Sequence, residues 1–137
     1  MKIKKLQQVP HDKIGRVDKN NVKLEPHEES TILYLSQFGF DIELIRPSST
    51  KKSNNPDILI MGTIWEIKGP ESSNKTTIKN RFRKASKQST KIVFDLRKVR
   101  KDVNKVEKQV FQLFKGDGKI RRMMIIEKDG TLLDITK

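Results

Sequence analysis

The 137-residue chain contains no cysteine. That excludes disulfide staples and thiolate-held metals, and leaves the redox compartment open. Aromatic residues are few, with six Phe, one Tyr and one Trp, and the Trp and most Phe read as core, so a stacking platform for bases is not evident. No apolar run reaches the ~18 residues that a membrane-spanning helix needs. Met1–Pro10 is basic and lacks an apolar core segment, so no secretory leader is expected. Acidic residues are also scarce, 17 against 30 Lys and Arg, for a formal charge of +13. Such an excess points to a polyanion, either nucleic acid or a membrane surface.

What is present is unevenly placed. Residues 1–24 are net +5, residues 25–71 net −4, and residues 72–137 net +12. Binding a polyanion does not call for the acidic middle; holding a cation does. Residues 1–24 have no clear period and read as a basic arm with room for one short strand, leaving 25–137 as the domain. Glu25-Pro26-His27-Glu28-Glu29 opens a helix, with Pro in the first turn and acids that complement the dipole. Ile32, Leu33, Leu35 and Phe38 give that helix an apolar face, and Gly39 stops it. Phe40–Arg46 alternates as a strand, and Pro47–Asn55 is a polar loop.

Two strands follow, Asp57–Met61 and Ile64–Lys68, expected to join through a type II′ turn at Gly62-Thr63. A basic helix is predicted from about Thr77 to Gln88, a buried strand over Lys91–Leu96, and a second basic helix from about Val99 to Phe114. Ile120–Glu127 and Thr131–Ile135 form a closing hairpin, with Arg121-Arg122 as phosphate contacts or as a guard on an edge strand. The sum is a mixed α/β layer fold of the α+β kind.

The chemistry sits in the first hairpin. Glu66 and Lys68 are two apart on a strand and share a face, with apolar Trp65 and Ile67 on the other. A Gly62-Thr63 turn would pair Leu59 with Glu66 and Asp57 with Lys68, bringing Asp57, Glu66 and Lys68 to one patch. The idea is sensitive to one residue of register. Two carboxylates and a lysine at one spot suit a hard divalent cation, with the lysine handling water or developing charge. An exposed amphipathic hairpin would carry a Glu-x-Lys pair too.

Pro56-Asp57 followed by Glu66-Ile67-Lys68 resembles the PD-(D/E)xK signature of restriction-endonuclease-like nucleases. The wider chain resembles the C-terminal nuclease domains of contact-dependent growth inhibition toxins, many of them tRNases. The likeness is carried by His27-Glu28, Gly39-Phe40-Asp41-Ile42, Trp65-Glu66-Ile67-Lys68, and Ala85-Ser86-Lys87-Gln88 leading to Ile92-Val93-Phe94-Asp95-Leu96. It implies a core of helix, three-strand meander, helix and strand, with a further basic helix and the C-terminal hairpin. It also implies that Glu28, with Glu29 as the fallback, joins Asp57 and Glu66 around the metal, that Lys68 is catalytic, and that Gln88 touches the site or substrate.

Mg²⁺ is the expected metal, with Mn²⁺ or Zn²⁺ as alternatives. Arg81, Arg83, Lys84 and Lys87 precede Gln88 and would hold substrate phosphates. The expected activity is a metal-dependent phosphodiesterase on RNA, tRNA favoured. The alternatives are a DNA-cleaving nuclease of a mobile element or repair system, or a non-catalytic nucleic-acid-binding module. A toxin would act in the cytoplasm of a target cell after delivery within a larger protein, and an acidic immunity protein would cover its cleft. The chain starts at Met1 with no large delivery region, which fits a stand-alone relative as well as a toxin piece.

Overall fold

A computed structural model describes residues 1–46 and 57–137. The expected polar loop at 47–55, and Pro56, lie outside the described residues. The chain divides into two compact units, Gln7–Trp65 and Met1–Leu6 with Glu66–Lys137. Charge divides with them. Gln7–Trp65 holds seven basic and eight acidic residues, net −1, while the rest holds twenty-three and nine, net +14.

In Gln7–Trp65 the elements are β2 (Val17–Asp18), α1 (Pro26–Ser36), β3 (Ile42–Ile45), β4 (Asp57–Ile60) and the first half of β5 (Thr63–Lys68). The unit's first strand takes the number β2 because β1 (Lys2–Leu6) belongs to the other unit. β2 runs parallel to β3, and β3, β4 and β5 are antiparallel. Helix α1 ends where expected, with Gly39 at φ +90° donating its N–H to the Ser36 carbonyl. Ile32, Leu35, Ile42, Leu44, Ile58, Ile60 and Trp65 are buried, whereas Leu33 of the expected apolar face is exposed.

The β4–β5 turn differs from the reading above. Ile60 pairs with Thr63 and Leu59 with Ile64, so the two turn residues are Met61 and Gly62. Both have positive φ, +52° and +81°, which makes a type I′ rather than a type II′ turn. A bond from outside the hairpin holds it: Met61 N–H donates to the Asp41 carbonyl at 2.9 Å, and the Asp41 N–H lies 3.4 Å from Met61 Sδ. The register therefore moves by two residues. Leu59 faces Ile64 and not Glu66, but an even shift leaves every side chain on its expected face.

In the other unit the elements are β1, the second half of β5, α2 (Lys75–Gln88), β6 (Lys91–Asp95), α3 (Val103–Gly116), β7 (Arg122–Ile126) and β8 (Leu132–Thr136). The strand order is β1-β8-β7-β6-β5. β5, β6 and β7 are parallel, with α2 and α3 as the crossovers, while β7–β8 and β8–β1 are antiparallel. Asn74 caps α2 by accepting from Thr76 N–H and Thr77 N–H, which starts the helix at Lys75, two residues earlier than predicted. Helix α3 starts later than predicted, at Val103, because Leu96 and Val99 are buried in the loop before it.

The core joins Ile78, Phe82 and Ala85 of α2 and Val106, Val110 and Phe114 of α3 to one face of the sheet. Phe82 and Phe94 stack at 6.0 Å between ring centres. Residues 2–6, read as part of an arm, form the edge strand β1. The expected role of Arg122 as an edge guard or phosphate contact is corrected. β7 is an inner strand, and Arg122 grips Asp134 through two hydrogen bonds of 2.9 and 2.6 Å.

Candidate active site

β5 builds the centre of the site by simple alternation. Trp65 and Ile67 are 3% and 2% exposed, while Glu66 and Lys68 take the other face. That second face is also partly covered, leaving the two side chains only 20% and 16% exposed. The parallel register sets Glu66 beside Ile92 and Lys68 beside Phe94, the residue stacked on Phe82 of α2. Glu66 and Lys68 therefore look toward the α2 side of the sheet.

Lys68 Nζ lies 3.4 Å from Glu66 Oε1. From the last turn of α2, the side-chain amide of Gln88 meets the same carboxylate. A carboxylate only accepts, so the amide nitrogen must face it, and it then donates to Oε2 at 2.7 Å and to Oε1 at 3.3 Å. One largely covered carboxylate is thus held by a cation and by an amide that reaches it from the exposed end of α2.

Helical phase sorts the expected phosphate contacts. Thr77, Arg81, Lys84 and Gln88 follow three- and four-residue spacing and form one stripe, so Arg81 and Lys84 lie on the Glu66 side of α2. Arg83 lies on the opposite flank, where it and Lys79 line a groove with Gln112 and Leu113 of α3. Lys87 points outward between the flanks. All four basic residues are exposed. Their angular offset from Gln88 around the helix separates residues that sit side by side in the sequence.

The remaining acids belong to Gln7–Trp65. Glu28 is buried, 9% exposed, in the first turn of α1 and on the face that carries Ile32 and Leu35. Glu29 turns outward and pairs with Lys19. Asp57 opens β4 opposite Ile45 and is half-buried. Among the described residues, no three Asp, Glu or His side chains converge to hold a metal ion. Asp95 is buried and held by Arg97 through bonds of 2.9 and 2.7 Å, which makes it a structural pair. No helix among the described residues is long and apolar enough to cross a membrane.

Known proteins can now be set beside this geometry. No curated protein matches the chain. One solved structure, a CdiA-CT/CdiI toxin and immunity complex from Burkholderia pseudomallei, is similar in fold with a TM-score of 0.66. The match covers 90% of this chain and 100% of that one at 19% identity, so the likeness is one of architecture. The family model of the contact-dependent growth inhibition CdiA C-terminal domain matches residues 53–132, the stretch holding Asp57, Glu66, Lys68 and Gln88. With more than half its length matched, the chain belongs to the contact-dependent growth inhibition CdiA C-terminal domain family.

Proposed function

We propose that this chain is the toxic nuclease of a contact-dependent growth inhibition system, a PD-(D/E)xK phosphodiesterase acting on RNA, and on tRNA in particular. The observation that carries the reading is the Glu66–Lys68–Gln88 cluster, set in a unit of net charge +14. A charge of that size attracts a phosphate backbone. A held carboxylate beside a lysine is machinery that binding alone does not need.

Arg81 and Lys84, on the Gln88 flank, would bind phosphates next to the scissile one and set the strand's register. Gln88 would orient the Glu66 carboxylate. Lys68 would sit close enough to the reacting phosphate to orient water, move its proton or balance developing charge. Asp57 and Glu66 would hold Mg²⁺ directly, with Glu28 reaching it through a bound water, and the ion when bound supplies charge for a phosphoryl oxygen and acidifies water. Their chemistry suits that ion. Mg²⁺ keeps several waters and takes only one or two carboxylates, so it does not require three converging protein ligands.

The site of action would be the cytoplasm of a target cell. The producing cell would carry an acidic immunity protein whose charge complements the basic unit. The relative of similar fold is a toxin solved with its immunity protein, which fits this arrangement. The test is a cleavage assay on tRNA, other RNA and DNA with Mg²⁺, Mn²⁺ or EDTA, using Asp57→Ala as control. Cleavage that persists in EDTA, or in Asp57→Ala, would sink the proposal.

A further inference from the structure

Away from Glu66, α3 carries a second stripe. Asn104, Glu107, Lys108, Phe111 and Lys115 recur at three- and four-residue spacing and wall a cavity of about 650 Å³, closed on its other side by Glu127 and Leu133. Its floor is apolar. Phe111 and Leu133 are partly buried against the core. Its rim is cationic, with Lys108 and Lys115 exposed and Lys5 of β1 paired with Leu133.

Its wall holds an acid pair. Burial, then a hydrogen bond to the Glu127 carboxyl, then the charges of Glu127 and Asp129, push the Glu107 carboxyl up to about 7. Glu107 and Glu127 both line the cavity, so the pair presents carboxyl oxygens that can accept a hydrogen bond from an occupant.

We propose that this cavity binds an amino-bearing nucleobase (cytosine, adenine or guanine) of a nucleic-acid strand. The base would stack on Phe111, its exocyclic amine would donate to the Glu107–Glu127 pair, and Lys108 and Lys115 would hold the flanking phosphates. Each part of the cavity matches one part of a nucleotide: a flat apolar floor, acceptors at the wall and cations at the mouth. A bare cation is disfavoured by the lysine rim. A lipid chain has no use for acceptors. The inference deepens the nucleic-acid reading above and rests on it for the identity of the ligand, but it requires no cleavage.

The test follows backbone amide NMR shifts of the full chain in EDTA, titrated with CMP, AMP, GMP, UMP and inorganic phosphate. CMP, AMP and GMP should move the amides of Glu107, Phe111 and Glu127. UMP, whose one base donor, N3–H, sits between two carbonyls that the acid pair repels, should bind about tenfold more weakly. Phe111→Leu keeps apolar bulk and should weaken binding about tenfold with only a small fall in the unfolding midpoint, so that the variant stays folded under the titration conditions. Glu107→Leu, which removes the acceptor, should erase the preference over UMP. Equal binding of phosphate and all four nucleotides would overturn the proposal, as would shifts confined to other residues or Mg²⁺ moving the same amides in their place. Because no cleavage is read, a chain inactive on RNA can still pass this test, and an active one can fail it.

Discussion

Gln88, in the last turn of α2, meets the Glu66 carboxylate of β5 with its side-chain amide at 2.7 Å, across 22 residues of chain. The crossover from β5 to β6 folds back so that its final residue touches the strand it left. That bond ties the basic helix to β5, and it makes Gln88 a positioning residue for Glu66.

Gln88→Ala should therefore lower kcat about tenfold with little change in KM. Gln88→Glu should be worse, because it sets a second carboxylate against the first. Steady-state kinetics on a cleaved RNA would read both. Wild-type kcat in Gln88→Ala would reduce Gln88 to an ordinary helix end.

Lys68→Ala should cost on the order of 10²–10⁴ in rate, the range for a positioned proton-transfer group. Folding should survive, since Lys68 lies outside the apolar core. Single-turnover cleavage beside a thermal melt separates the two effects. A folded, fully active variant would remove Lys68 from the mechanism.

The two flanks of α2 should behave differently. Arg81→Ala with Lys84→Ala should weaken RNA binding and reduce the slope of log affinity against log salt by about 2, one for each lost phosphate contact. Cleavage should fall in step. Arg83→Ala, on the α3 side, should change cleavage much less. Salt-dependent binding isotherms with the cleavage-dead Asp57→Ala background would decide it.

Stability should fall as pH rises through neutrality. The Glu107 carboxyl titrates near 7 when folded, against an ordinary 4.5. A raised carboxyl means the folded state keeps its proton longer, so its contribution is full below about 4.5 and is lost as pH rises through about 7. Melting midpoints across that window should decline in the wild type and decline less in Glu107→Gln. Equal slopes would show that the acid pair is not coupled to folding.

Gly62→Ala should destabilise by about 1 kcal/mol, purely from its positive φ, because open space surrounds the added Cβ. Met61→Asn, at φ +52°, should be neutral or mildly stabilising, since Asn tolerates that conformation. Denaturant melts of the two variants should move apart. A destabilised Met61→Asn would show that its contact with Asp41 outweighs the strain.

Local chemistry already placed Glu66 and Lys68 together, opposite Trp65 and Ile67, because strand alternation needs only adjacent residues. It also stopped α1 at Gly39. That Glu29 pairs with Lys19, ten residues upstream, no local window shows. The register of β4 on β5 needed the Asp41 carbonyl, which selects Met61-Gly62 as the turn although Gly62-Thr63 satisfies the local rule equally well. The β1–β8 pairing and the Glu107–Glu127 pair join residues far apart in the chain, and their neighbours carry no period that announces them. Short-range order follows from backbone sterics and the spacing of apolar groups. Which distant groups meet depends on how the whole chain buries its apolar surface, and that sum is not written in any local window.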